Sequence, residues 1–147
     1  MRIEVERVIE MLKARNDYNI SSDFLFAFEN FISSGDDSQY SHWIERAISG
    51  FYETRGDRSS YRGAKDAEGI KKVCKEDRKL FLNIKKNGMK VPISVFKDKY
   101  GLDIDGRHRL VIAKALGHDF IKCEAWSGGF VPLSWPQPIR DSIRNIT

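Results

Sequence analysis

The 147-residue sequence has little cysteine and no long apolar run, and each shortage excludes a class of protein. Its two cysteines, Cys74 and Cys123, stand in unrelated contexts, which argues against a disulfide scaffold and against a cysteine metal motif. No apolar run approaches the ~20 residues of a membrane span. The N-terminal segment carries acids throughout and does not resemble a secretory signal. We therefore expect no membrane association, a reducing cytoplasmic location and two thiols packed in a core.

Hydrophobic residues make up 41% of the chain and charged residues 31%, as is typical of globular proteins. A chain of this length buries ~70% of its unfolded surface and fits one domain. The pattern of apolar residues predicts a helical part over residues 1–54, an α/β core over 66–126 and a tail over 127–147. The predicted fold class is therefore α+β, within a single domain spanning 1–147.

Charge is distributed unevenly along the chain. Residues 1–54 contain 5 basic and 10 acidic residues, residues 55–90 contain 12 and 5, and residues 91–147 contain 8 and 6. The middle segment is thus a basic block, which is typical of a nucleic-acid-binding face and equally of a solvated helix surface. The candidate contacts to DNA or RNA are Arg55, Arg58, Arg62, Lys71, Lys72, Lys75 and Lys79.

Apolar spacing of three and four residues predicts amphipathic helices over 3–14, 21–33, 40–53 and 66–86, the last as one helix or two. The aromatic residues of these helices recur at helical spacing, which favours core packing over a ligand groove. The helices before residue 54 are acidic and rich in aromatics, so a protein partner is an alternative role for them.

The composition becomes strand-like after Asn87-Gly88, which is a good helix stop. Residues 92–104 read as a β-hairpin. Residues 107–116 read as a helix that ends at Gly117, and residues 120–126 as a third strand.

The segment from Asp105 to Arg109, "DGRHR", joins the hairpin to this helix. Gly106 permits unusual backbone angles and a close ligand approach. A helix N-terminus already attracts anions, and Arg107, His108 and Arg109 add donors to the same turn. Two arginines in a first helical turn are electrostatically misplaced unless an anion, most simply a phosphate, neutralises them. The pattern therefore predicts a phosphate-binding turn.

The acids of this stretch allow two interpretations. In one, Asp103 and Asp105 form ion pairs with the arginines, and His108 is bonded to a backbone carbonyl. In the other, Asp103, Asp105 and His108 are catalytic, the carboxylates acting as base or Mg²⁺ ligand. No cluster of protein metal ligands is predicted.

The stretch "NGMKVPISVFKDKYGLDIDGRHRLVIAKALGHDFIKCEA" resembles the N-terminal domain of ParB, in the ParB/sulfiredoxin superfamily. The likeness covers about residues 66–126. It implies a small mixed sheet with packed helices, preceded here by a helical extension. In both families the glycine-led box binds nucleotide phosphates, with CTP in ParB and ATP in sulfiredoxin, and Gly106, His108 and Arg109 match that box. Arg107 stands at the position of the sulfiredoxin catalytic cysteine, so sulfinic-acid reductase activity is not expected.

The favoured function is a ParB-like protein that binds ATP or CTP, with or without Mg²⁺, in a nucleic-acid-related role. Three alternatives stay open. They are a phosphotransferase or NTPase acting on a small molecule or modified base, a ParB-like nuclease, and a non-catalytic interaction protein of a phage or mobile element.

Overall fold

The computed structural model describes residues 2–15, 20–51, 59–98 and 101–125. The elements in chain order are β1 (Arg2–Glu4), α1 (Val5–Lys13), α2 (Ile20–Ser34), α3 (Ser38–Ile48), α4 (Ala67–Asn87), β2 (Ile93–Asp98), β3 (Gly101–Asp105), α5 (Arg107–Ala115) and β4 (Phe120–Ala125). The combination of helices with a mixed sheet confirms the predicted α+β class. Within these ranges no helix has the length and apolar character needed to cross a bilayer.

Backbone contacts group the chain into two compact units. The first holds the described parts of residues 1–16 and 89–147, and the second those of residues 17–88. Residues 2–15, which the sequence places in the helical extension, are part of the unit that contains the sheet. The prediction of a single domain stays a prediction.

The sheet of the first unit has the order β1-β4-β2-β3. The hairpin partners β2 and β3 are antiparallel, β4 runs parallel to β2, and β1 pairs antiparallel with β4. Alternate residues are buried, among them Ile93, Val95, Ile104 and Cys123, and helices α1 and α5 also contribute buried apolar side chains. Burial raises the pKa of the Cys123 thiol to about 11, so it packs as a neutral side chain.

The second unit is built from α2, α3 and α4 around an aromatic cluster. Its members are Phe24, Phe28, Phe31, Tyr40, Trp43 and Tyr61, all of them buried. Neighbouring ring centroids lie 5.0 to 6.4 Å apart in stacked, tilted and edge-on pairs. Each buried aromatic contributes roughly 1.5–3 kcal/mol from burial alone. The prediction that the aromatics of the helices form a core is confirmed for Phe24, Phe28, Phe31 and Trp43, and is wrong for Phe51, which is 54% exposed.

Two helix boundaries differ from the sequence prediction. The predicted helix over 3–14 begins only at Val5, because Arg2–Glu4 pairs with β4 as strand β1. The predicted helix over 40–53 ends at Ile48. In contrast, residues 66–86 were predicted as one helix or two, and α4 is a single helix whose end at Gly88 agrees with the predicted stop.

Candidate functional site

The turn from β3 into α5 depends on Gly106. This glycine is the N-cap of α5, has φ +110° in the left-handed region, and provides no side-chain cap. A Cβ at this position would lie 2.6 Å from Nη2 and 2.9 Å from Nε of Arg109, and 2.9 Å from the side chain of Ile93. Only glycine fits both the backbone angle and the space. The unusual backbone conformation predicted for Gly106 is therefore present, and the close approach of a ligand stays a prediction.

The first turn of α5 contains basic residues and no acid. Arg107, His108 and Arg109 are all half-buried. A cation near a helix N-terminus is disfavoured by about 0.3–1 kcal/mol, because the macrodipole is positive there. In this first turn, both the backbone amides and the basic side chains therefore favour a negatively charged ligand.

Asp103 on β3 holds Arg107. Oδ1 of Asp103 accepts hydrogen bonds from Nε of Arg107 at 3.1 Å and from Nη2 at 2.8 Å. The same oxygen accepts from the backbone amide of Ile104 at 2.8 Å. Both side chains retain some contact with solvent, at 15% exposure for Asp103 and 21% for Arg107. Of the two interpretations for Asp103, the ion pair with an arginine is the one that the geometry shows.

Arg15, just after α1, is a part of this cluster that the sequence did not reveal. Its side chain is only 3% exposed, and Nη1 lies 3.6 Å from Oδ2 of Asp103. The same nitrogen donates to the backbone carbonyl of Leu102 at 3.0 Å. Asp103 thus lies between two guanidinium groups. The sequence offers no signal for this contact, because 87 residues separate Arg15 from Leu102.

Arg109 lies on the other side of the turn. Its guanidinium packs against Gly106, and Nη1 donates a long hydrogen bond of 3.4 Å to the carbonyl of Val91. Val91 is exposed, so this bond lies at the surface. The structure therefore brings Gly106, Arg107 and Arg109 to one turn and gives the two arginines different partners.

Asp105 differs from Asp103. It is exposed at the end of β3, directly before Gly106, and stands opposite Ser94 in the ladder. Among the residues that the structure describes, Asp105 has no ion-pair partner. It is therefore the carboxylate of this turn that remains available to a ligand or to a hydrated cation. The described ranges contain no group of three or more His, Cys, Asp or Glu side chains placed to hold a metal.

The candidate nucleic-acid contacts fall into three groups. Lys71, Lys72, Lys75 and Lys79 are exposed on α4, and the first three line a surface depression together with Asp66 and Glu68. The structure does not describe Arg55 and Arg58, which lie outside its ranges. Arg62 is described and is engaged with acids of α4.

Arg62 belongs to a two-residue hairpin turn. Tyr61 and Ala64 exchange backbone hydrogen bonds of 3.0 and 2.9 Å, and both Arg62 and Gly63 have positive φ, of 51° and 83°. These angles match a type I′ turn, which an arginine rarely occupies. The turn packs on α4, because a Cβ at Gly69 would meet the Cα of Ala64 at 2.9 Å.

The side chain of Arg62 binds Asp77, a carboxylate that is 1% exposed. Nη1 of Arg62 donates to Oδ1 of Asp77 at 2.7 Å, and the hydroxyl of Tyr40 donates to Oδ2 at 2.7 Å. Tyr40 and Tyr61 also share a hydrogen bond of 3.2 Å. Burial raises the pKa of Asp77, although the hydrogen bonds from Tyr40 and Arg62 lower it. Tyr61 is buried too, so its ring is not available to stack on a base.

A protein contact through the helices before residue 54 stays a prediction. Most aromatics of α2 are buried, but Phe26 is exposed. It borders a shallow depression together with Asp23, His42 and Arg46, among others.

Comparison of the chain with protein-family models, with curated proteins and with solved structures gave no match.

Proposed function

We propose that the turn between β3 and α5 binds the phosphate groups of a nucleoside triphosphate, and that the protein has a nucleic-acid-related role. The observation that carries this proposal is the uncapped N-terminus of α5, where the left-handed Gly106 lies against the guanidinium of Arg109. An anion at this point would meet backbone amides, the positive end of the helix dipole and a forked cationic donor together.

The charge balance of the turn supports an anionic ligand. Arg15, Arg107 and Arg109 bring three positive charges to the turn, and Asp103 is shared between the first two of them. Within the described residues Arg109 has no carboxylate partner, only the carbonyl of Val91. Phosphate oxygens would replace that long bond with shorter charge-assisted ones.

The two arginines of the turn would contribute differently. Arg107 must leave Asp103, or share it, before it can bind a phosphate. The loss of this ion pair reduces the net free energy that Arg107 contributes to phosphate binding. Arg15 would keep Asp103 neutralised during such an exchange. We therefore expect Arg109 to contribute more to nucleotide affinity than Arg107.

The resemblance to the ParB/sulfiredoxin superfamily supports the same ligand class. It suggests ATP or CTP as the nucleotide and matches Gly106, His108 and Arg109 to the phosphate-binding box. Mg²⁺, where it accompanies the nucleotide, would take most of its ligands from phosphate oxygens and water, with the exposed Asp105 beside Gly106 as a candidate carboxylate ligand.

A phosphotransferase or NTPase is the second candidate, and the exposed Asp105 beside the glycine favours it. Phosphoryl transfer needs positioned cations and a group that orients the nucleophile. Arg109 and Asp105 would fill these two roles. Nucleotide hydrolysis that is lost in Arg109→Ala and in Asp105→Asn, and retained in Lys122→Ala, would support catalysis. Loss in all three or in none would contradict it.

Calorimetry with ATP, CTP, GTP and ADP, with and without Mg²⁺, tests phosphate binding directly. We expect at least one triphosphate to bind the wild-type chain, Arg109→Ala to weaken it by roughly tenfold or more, and Arg107→Ala to weaken it less. Lys122→Ala, which removes an exposed lysine from β4, is the matched control and should bind as the wild type does. The absence of binding by every nucleotide would overturn the proposal.

A further inference from the structure

The outward side of α4 carries a concentration of positive charge. We call it the lysine face, and its members are Lys71, Lys72, Lys75, Lys79, Lys85 and Lys86. All six are exposed, and within the described chain none has an ion-pair or hydrogen-bond partner. Lys71, Lys75 and Lys79 follow one another at intervals of four, so their ammonium groups are neighbours that repel by about 0.2–0.5 kcal/mol per pair. Such a face favours a partner with regularly spaced negative charge.

The acids in the middle of α4 do not neutralise this face. Glu76 lies one turn from both Lys72 and Lys79, the positions with which a helical glutamate ordinarily pairs. Instead, Oε2 of Glu76 lies 3.7 Å from Nη2 of Arg62, whose other terminal nitrogen binds the buried Asp77. One arginine in the hairpin turn therefore engages both carboxylates.

We propose that the lysine face docks the phosphate backbone of nucleic acid without reading its sequence, and that Arg62 is a positioning residue that holds Glu76 away from the lysines. This proposal rests on the nucleic-acid-related role proposed above. It assigns Arg62 a different task from the direct contact expected from the sequence, because the guanidinium is already bound to two acids.

The chemistry of the lysine face favours backbone contact. Lysine is a point charge on a flexible stem and lacks the planar fork with which arginine reads guanine edges. Phosphate contacts from lysine fix register and supply affinity that is independent of sequence. The 21 residues of α4 extend over roughly 30 Å, which is enough to follow several consecutive phosphates.

An anionic membrane is the competing partner, and the burial of α4 argues against it. A helix that binds a membrane surface inserts its apolar side into the lipid boundary. The apolar side of α4, including Ile70, Val73, Phe81 and Ile84, is buried within the protein. Leu82, at 50% exposure, and Leu80, at 37%, are the exposed large apolar residues of α4. Charge without an apolar side to insert fits a polyanion better than a bilayer.

The first experiment measures binding of the full chain to labelled duplexes and single strands of two unrelated sequences, over a salt series. We expect equal affinities for the two sequences and a steep linear fall of log K with log salt. Lys75→Ala/Lys79→Ala should weaken binding roughly tenfold and reduce the slope by about 0.9 per lysine on duplex. Lys122→Ala should change neither quantity. Vesicles containing phosphatidylserine are measured in parallel.

The second experiment is a double-mutant cycle on Arg62 and Glu76. Arg62→Gln alone would leave a buried carboxylate without its cation, so both arms are made in the Asp77→Asn background. If Arg62 positions Glu76, Glu76→Gln should raise the affinity severalfold when Arg62 is replaced and less than twofold when Arg62 is present. If that background does not fold, Arg62→Lys serves instead, because it keeps a cation beside Asp77 and removes the second nitrogen that reaches Glu76.

The outcomes separate the possibilities. Undetectable nucleic-acid binding at low salt, stronger binding to the vesicles, or an unchanged slope in the double lysine variant would overturn the docking surface. Equal gains from Glu76→Gln with and without Arg62 would overturn the positioning role. Nucleotide calorimetry reports on α5 independently, so a failure of this proposal and a failure of nucleotide binding are told apart.

Discussion

Two aspartates of this protein are each held by arginine, and their surroundings differ. Asp77 is buried, and its two oxygens accept short hydrogen bonds, Oδ2 from Tyr40 and Oδ1 from Arg62. Asp103 keeps contact with solvent. Its Oδ1 accepts three hydrogen bonds, two from Arg107 and one from the backbone amide of Ile104, and Nη1 of Arg15 lies 3.6 Å from Oδ2. The Asp77 carboxylate, at 1% exposure, cannot lose a partner without being left unsolvated, whereas the Asp103 carboxylate, at 15% exposure, keeps some access to water.

Under the proposed function, this difference separates a structural cluster from the cluster that binds the ligand. The Asp77 cluster fixes the hairpin turn, in which Arg62 has an unfavourable positive φ of 51°. A non-glycine residue in that region costs roughly 1–2 kcal/mol, and the bond to Asp77 offsets that cost. The Asp103 cluster holds Arg107 at the N-terminus of α5, where the phosphate of the proposed ligand would compete for it.

Removal of the buried carboxylate should have the largest effect. Asp77→Ala leaves the Tyr40 hydroxyl and the Arg62 guanidinium without their shared acceptor and opens a small cavity. We expect a loss of about 3 kcal/mol in the free energy of unfolding, measured by chemical denaturation. Asp77→Asn keeps the shape and one acceptor oxygen, so its loss should be smaller. Equal stability of Asp77→Ala and the wild type would show that the network contributes nothing.

A glycine pair sharpens the description of the α5 turn. Gly106→Ala forces a Cβ to within 2.6 Å of Arg109 at φ +110°, whereas Gly117→Ala, at φ +77°, meets no atom within 4 Å. We expect Gly117→Ala to cost about 1 kcal/mol from backbone strain alone and Gly106→Ala about 2 kcal/mol or more. Gly106→Ala should also weaken nucleotide binding, and Gly117→Ala should not. The same cost at both positions would mean that the close approach of Arg109 is unimportant.

Much of the architecture follows from local patterns in the sequence. The hairpin over 92–104, the helix from Arg107 and the final strand from Phe120 are found where period-two and helical spacing and the glycine stops predict them. The strand Arg2–Glu4 was missed, because its pairing with β4 depends on residues more than a hundred positions away. A segment of three residues is too short for its alternation of apolar and polar residues to predict a strand.

The candidate site was less predictable than the fold. The glycine and the three basic residues of α5 are adjacent in sequence, so their grouping required no knowledge of tertiary contacts. The contributions of Arg15 and Val91 depend on long-range packing and leave no local signal. The sequence was also a poor guide to Arg62, because its basic neighbours predict a contact with nucleic acid, whereas the structure pairs it with a buried carboxylate.

The pH dependence of stability tests the burial of Asp77. Burial raises the pKa of this carboxyl above its ordinary 3.8, so the folded chain holds the proton more readily than the unfolded chain. The contribution of Asp77 to stability is then full below the unfolded pKa and is lost as the pH rises through the folded pKa. Asp77→Asn does not titrate here. The free energy of unfolding of the wild type relative to that of Asp77→Asn should therefore decline as the pH rises from about 4. Chemical denaturation of both proteins at several pH values measures this difference. A relative stability that increases with pH would show that the bond to Arg62 outweighs burial.

The smallest effect on stability is expected at the two aspartates of the α5 turn. Asp103→Asn should lower the free energy of unfolding by about 1 kcal/mol, since an amide oxygen can still accept the hydrogen bonds from Arg107 and from the backbone amide of Ile104. Asp105→Asn should change it by less than about 0.5 kcal/mol. Their effects on nucleotide binding should differ more. Asp103→Asn releases Arg107 to the ligand and removes a competing negative charge, so the affinity measured by calorimetry should rise severalfold. A fall in affinity would mean that Asp103 presents Arg107 to the phosphate instead of withholding it, and Arg107→Ala in the Asp103→Asn background would then have no further effect.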